Sequence, residues 1–159
     1  MAQETGDPVE PLLELADRLT TIYFGDGLAK QFNTPIEERD VSWNKAAEEF
    51  PLYREKIMNL HALLKRAEDL TIKFWNSSDM IKILPIHFRD FTDESVRDLL
   101  TSILLAKANP DDNVSEDHET YSPIIEDIQY SIYKATRKEF SEVDCNDVFK
   151  AILEGKLEI

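Results

Sequence analysis

The sequence predicts an all-α fold, a single-domain helical bundle of about five main helices plus short helices. Three observations predict it. Apolar residues recur at steps of three and four in several stretches, alternating strand patterns are nearly absent, and the prolines fall mostly between the periodic stretches. A chain of 159 residues with 42% hydrophobic content can bury a core of its own. We therefore expect one helical domain over 1–159, with a flexible polar tail over 1–6.

The first third of the chain contains one clear helix and one irregular region. An Asp-Pro pair supplies the N-cap and the first helical position of a helix over 8–24, and Gly25 helps to end it. Residues 28–50 are expected to form short helices and turns. Pro35 would open one short helix, and Ser42 would cap another.

The most regular pattern lies between 51 and 76. Apolar positions alternate steps of four and three over the whole stretch, which is typical of a helix packed in a globular core. At about 1.5 Å per residue this helix would be nearly 40 Å long, and we expect it to be the spine of the domain. Its buried residues should include Ile57, Leu60, Leu64 and Phe74.

In the second half of the chain, capping residues and apolar stripes predict further helices. A short helix over 79–84 precedes an extended segment over 86–91. Three further helices are predicted, the first over 93–108, the second from Ser122-Pro123 to about Phe140, and the third capped by Asp144 or Asn146 and ended by Gly155. The inward residues of the second include Ile125, Ile128, Ile132 and Tyr133.

Charge and composition bound the functions that are open to this chain. The net charge is -14, and residues 90–133 carry eleven acidic side chains against two basic ones. Such a surface repels polyanions, which argues against direct binding of nucleic acid or anionic membranes. The single cysteine allows no disulfide within the chain, and no stretch has the length of a membrane span. A soluble, cytoplasmic protein is expected.

The acidic connection over 109–122 resembles a calcium-binding loop in spacing alone. Asp111 begins a run of oxygen-bearing side chains at every second position, as in an EF-hand. Glu116 stands where such a loop needs glycine, and Ser122 stands where it needs a bidentate glutamate. We therefore expect a solvated, mobile loop with no metal.

Catalytic groups have no recognisable arrangement in the sequence. Cys145 lies between carboxylates that would raise the pKa of its thiol, so it should be a buried or incidental residue and not a nucleophile. His87, between two apolar residues, should be structural. Glycine-rich phosphate loops and serine elbows are absent from the sequence. We expect no enzyme, no catalytic residue and no cofactor.

Two surfaces are candidates for binding a partner. The long helix offers a basic face and an aromatic residue at its end, and the acidic connection offers carboxylates. The basic face could serve an acidic partner or the chain's own acidic loop. The candidate partner-binding residues are Lys65, Arg66, Lys73, Trp75, Asp111, Asp112, Glu116 and Asp117.

Three functions follow from these features. The first hypothesis is a non-enzymatic helical protein–protein interaction module, meaning an adaptor, a regulatory subunit or a component of a larger assembly. The second is an acidic decoy that imitates nucleic acid and occupies a basic protein. The third is a metal-dependent enzyme of an unfamiliar type. A salt-sensitive complex with a basic protein would favour the decoy over the module.

Overall fold

A computed structural model describes residues 9–26, 36–77 and 79–159 of the chain. Every regular element in these ranges is helical, and none is a strand, so the all-α prediction is confirmed. The α-helices are α1 (Val9–Asp26), α2 (Ile36–Glu49), α3 (Arg54–Phe74), α4 (Asp79–Ile83), α5 (Glu94–Ala108), α6 (His118–Thr136) and α7 (Cys145–Leu153). Short 3-10 helices span Pro51–Tyr53, Leu84–Phe88 and Phe140–Glu142.

Within the described part of 28–50, helix α2 stands in place of the short helices and turns that we expected. The helix runs without a break through Ser42, so the prediction of a second helix capped there is wrong. Neither glycine nor proline occurs between its ends, and Trp43, Ala46 and Ala47 give it a buried face. The tail over 1–6 and the helix start at Pro35 lie outside the described residues.

The segment over 86–91 is not extended, because a 3-10 helix occupies Leu84–Phe88. Phe88 and Phe91 are both fully buried, and their rings meet edge to face with centroids 6.2 Å apart. A turn of this kind places residues three apart on the same side, which an extended strand does not. The burial of these two phenylalanines explains why the segment forms a turn and not an extended strand.

Helix α5 occupies the centre of the bundle. It contacts α3, α6, α7 and the 3-10 helix Leu84–Phe88, and it buries a broad apolar stripe that takes up seven of its 15 residues. Helix α3 is the longest of the described helices, with 21 residues, yet it buries one stripe only. Of its predicted core residues, Ile57 and Leu60 are fully buried, whereas Leu64 and Phe74 are half-buried. Helix α5 therefore buries a larger share of its residues than α3, which we predicted as the spine and which packs against α2, α5 and α7.

The two end helices α1 and α7 pack against each other and against the core. Tyr23 of α1 meets Phe149 of α7 edge to face, with ring centroids 6.1 Å apart. Asp144 caps α7 in a reciprocal pair with Asp147, in which each side chain accepts a backbone N–H of the other residue. Of the two caps predicted for this helix, Asp144 is the one used.

Helix α6 begins at His118, four residues before the predicted start at Ser122. The Asp117 carboxylate accepts the backbone N–H of Glu119, and this cap starts the helix within the acidic segment. Tyr133 is exposed, so its predicted inward position is wrong. The helix thus presents an outward face with an aromatic residue that the sequence pattern had assigned to the core.

Candidate protein-interaction surface

Arg66 of α3 is bound to the chain's own acidic connection over 109–122, which we call the acidic segment. Its guanidinium donates to the Asp112 carboxylate at 2.7 Å and to the carbonyl of Ala106 at 3.0 Å. It also donates to the carbonyl of Asn109. Two of these acceptors are carbonyls at the C-terminal end of α5, where a cation is favoured by the helix dipole. Arg66 therefore joins α3 to the start of the acidic segment. We call these three hydrogen bonds of Arg66 the clasp.

A buried amide and a buried phenol fix the same segment from inside. The Asn109 side-chain amide donates to the carbonyl of Leu105 at 2.9 Å and to the Tyr121 hydroxyl at 3.1 Å, while its oxygen accepts the N–H of Ser115 at 2.8 Å. The Tyr121 hydroxyl donates to the carbonyl of Ser115 at 2.8 Å. Burial raises the pKa of Tyr121, so the phenol keeps its proton and can donate.

The acidic segment is therefore exposed at its tip, as expected, and hydrogen-bonded to the core at its base. It differs from an EF-hand in geometry as well as in sequence. The chain is already helical at His118, the eighth position counted from Asp111. Asp117 uses its carboxylate to cap the helix. Across the ranges that the structure describes, no three histidine, cysteine or carboxylate side chains gather as metal ligands.

The remaining predicted binding residues do not form one site. Lys65 is exposed on α3, and Glu116 is exposed in the acidic segment. Lys73 lies at the far end of α3, with its ammonium 5.2 Å from the centre of the Phe74 ring. Trp75 follows that end and is about half exposed. Among the predicted binding residues, Arg66 and Asp112 are brought together from the basic and the acidic group.

The one cysteine of the chain lies in the interior. Cys145 is buried, and burial together with Asp93, Asp144 and Asp98 raises the pKa of its thiol to about 12. The Tyr23 phenol is also buried, and burial followed by Asp98 raises its pKa strongly. The prediction that Cys145 is buried is confirmed.

Two histidines contact each other where the 3-10 helix Leu84–Phe88 meets α6. The rings of His87 and His118 have centroids 5.1 Å apart and are tilted by 58°. Burial first, and His118 second, lower the pKa of His87. The backbone carbonyl of His87 accepts a hydrogen bond from Gln129 at 3.3 Å. The ring contact joins the 3-10 helix to α6, and together with burial it disfavours protonation of His87.

The outward side of α6, opposite the buried stripe of Ile125, Ile128 and Ile132, carries two exposed tyrosines. Tyr130 is 62% exposed and Tyr133 is 49% exposed. Acidic residues precede the tyrosines along the helix and basic residues follow them. We call this surface the outer face of α6 and define it by the exposed residues Glu126, Asp127, Tyr130, Tyr133, Lys134 and Arg137.

Cations hold both tyrosines of the outer face in defined positions. The Lys134 ammonium lies 5.4 Å from the centre of the Tyr130 ring, and the Arg137 guanidinium lies 5.7 Å from the centre of the Tyr133 ring. A cleft of about 480 Å³ opens beside the face, between α6 and Lys156 of the C-terminal segment. Side chains that are ordered before binding lose less conformational entropy when a partner arrives.

Sequence reasoning missed this face because it treated Tyr133 as an inward residue. The signal was present in the helical period. At 100° per residue, Tyr130 falls on the side opposite Ile128 and Ile132, and Tyr133 lies nearer to Tyr130 than to the centre of that stripe. A phenol is compatible with either side, so the period of the aliphatic residues alone had to decide.

The sequence matches no protein-family model, no curated protein is significantly similar to it, and no solved structure matches the fold significantly. None of the described helices is long and apolar enough to cross a membrane. Function therefore has to be inferred from the surface chemistry of the molecule itself.

Proposed function

We propose that this protein is a non-enzymatic helical interaction module, an adaptor or a component of a larger assembly, that binds protein through the outer face of α6. The observation that carries the proposal is the pair of exposed tyrosines, Tyr130 and Tyr133, on the solvent side of an amphipathic helix. Tyrosine is enriched at the energetic centres of protein interfaces, where its ring supplies contact area and its hydroxyl a hydrogen bond.

The surroundings of the tyrosines support this assignment. Charged residues at both ends of the outer face can form the polar rim that surrounds an interface centre. Lys134 and Arg137 already order the two rings, which lowers the entropic cost of binding. The cleft beside Tyr130 offers a concave place for a partner side chain.

The test compares capture of proteins from a native lysate by the wild type and by two variants. Tyr130→Ala/Tyr133→Ala should lose the captured protein, because both interface centres are removed. Trp75→Ala, which removes a half-exposed aromatic on another part of the surface, should retain it. Equal capture by all three proteins would contradict the assignment of the outer face.

The acidic decoy is the second candidate, and the fixed base of the acidic segment favours it. Arg66 binds Asp112 and Asn109 binds Ser115, so the exposed carboxylates of Asp111 and Glu116 stand on a base that is hydrogen-bonded to the core. Neutralising Asp111, Glu116 and Asp117 to their amides should abolish capture by a decoy, because the imitated phosphate charge is gone. The same change should leave binding through the tyrosines intact.

A further inference from the structure

The order of charges along α6 makes its outer face complementary to itself. Reading towards the C-terminus, Glu126 and Asp127 come first, the two tyrosines follow, and Lys134 and Arg137 close the face. A second copy of α6 that lies antiparallel places its basic end over the acidic end of the first. A parallel copy would place like charges together, which is unfavourable.

The charged residues and tyrosines of the outer face are arranged almost symmetrically about one point along α6. Glu126 and Arg137 are symmetric about the midpoint between 131 and 132, and so are Tyr130 and Tyr133. Asp127 and Lys134 are symmetric about a point one residue earlier, which is about 1.5 Å away along the helix. Arg137 is the left-handed residue that ends α6, and its guanidinium remains on this face because it lies over the Tyr133 ring. One two-fold axis at this place therefore pairs both sets of opposite charges and brings the tyrosines of the two copies together.

From this symmetry we propose that the partner of the outer face is a second copy of this chain, joined in an antiparallel, two-fold symmetric α6–α6 dimer. The proposal rests on the proposed function, since it names the partner of the same face. The tyrosines form the centre of the interface, and Glu126–Arg137 and Asp127–Lys134 pairs between the copies form its rim.

The large negative charge limits when the dimer forms. Two copies with a net charge of -14 each repel one another at long range, and salt screens that repulsion beyond about 8 Å at physiological ionic strength. The opposite charges at the interface are in direct contact and are screened less. The dimer should therefore be favoured at physiological salt and weakened in very dilute buffer. One helix face is small for an interface, so a dissociation constant in the micromolar range is expected.

Charge reversal with rescue tests the proposal in sedimentation velocity at physiological salt. Glu126→Lys/Asp127→Lys makes the whole face positive, and Lys134→Glu/Arg137→Glu makes the whole face negative. Each variant alone should be monomeric, because every pair across the axis then has like charges. An equal mixture of the two should form a heterodimer with at least ten times the association constant of either variant alone.

Matched controls carry the same changes of charge on exposed residues of α2 and α3. Glu48→Lys/Glu55→Lys matches the first variant, and Lys45→Glu/Arg54→Glu matches the second. Both controls should dimerise like the wild type. Circular dichroism of every variant should keep the wild-type helix content, which separates lost association from lost folding.

A wild type that stays monomeric up to about 1 mM, or a mixture without heterodimer, would overturn the self-association. If lysate capture is then still lost in Tyr130→Ala/Tyr133→Ala, the face binds another protein and the interaction module stands. If that variant also captures normally, both proposals fail. Dimerisation that the two control variants abolish as well would show a general charge effect and overturn the α6 interface.

Discussion

Replacing Arg66 by methionine tests the clasp between α3 and the acidic segment. Methionine keeps much of the apolar stem and removes all three donated hydrogen bonds, to Asp112, Ala106 and Asn109. A hydrogen bond to a charged group contributes about 1.5–3 kcal/mol when it is well shielded from water. The Arg66 side chain is 33% exposed and Asp112 is 62% exposed, so water compensates part of the loss.

We therefore expect Arg66→Met to lower the free energy of unfolding by about 2–3 kcal/mol in total. For a chain of this length that corresponds to a fall in Tm of roughly 4–12 °C. Asp112→Asn removes only the exposed ion pair and should cost less than about 1 kcal/mol. Arg54→Met, on an exposed position of the same helix, serves as the control and should change little.

Urea unfolding followed by circular dichroism measures these differences, and hydrogen exchange locates them. The Ser115 amide, which donates to the Asn109 side chain, should exchange faster in Arg66→Met than in the wild type. A loss for Arg66→Met no larger than that for Arg54→Met would refute the clasp. The acidic segment would then be fixed by Asn109 and Tyr121 alone.

Three further predictions concern the core and the titrating groups. Leu60→Ala should cost about 2–5 kcal/mol in urea unfolding, because this side chain is fully buried, and a loss near zero would contradict its place in the core. Burial, followed by Glu94, raises the pKa of Asp98, so the charge of this carboxylate opposes folding above the ordinary pKa of aspartate. Asp98→Asn should therefore raise Tm at pH 7, and the gain should shrink towards pH 4. A lower Tm at pH 7 would refute this. The lowered pKa of His87 means that stability falls as pH drops below about 6.5, where the unfolded chain takes up the proton more readily. His118→Gln should reduce that loss between pH 7.5 and 5.5, and an unchanged loss would show that the ring contact has no effect.

Local chemistry was enough to predict much of the fold. The aspartate that caps α7 and the apolar stripe of α5 act within a few residues of sequence, so they can be recognised without tertiary structure. The uninterrupted course of α2 through Ser42 shows the limit of this approach. Ser42 has the chemistry of a cap, but the surrounding residues stay helical because Trp43 and the two alanines bury one face.

The candidate site depended more on tertiary structure. Arg66 and Asp112 are 46 positions apart, and only the packing of α3 on α5 brings them together. The sequence offered the chain's own acidic loop as one partner for the basic face, and for Arg66 the structure confirms it. The outer face of α6 needed the helix to be placed against its neighbours, since the phenol of Tyr133 suits the core and the surface equally.

Photo-crosslinking from position 130 tests the central claim, that the outer face of α6 is a protein-binding surface, most directly. A benzophenone amino acid at Tyr130 is compared with the same group at Trp75, which is exposed elsewhere on the surface. The account predicts a specific protein crosslink from position 130, to a second copy or to another protein, which excess unlabelled wild type prevents, and none from position 75. A crosslink from position 75 with none from position 130 would contradict it.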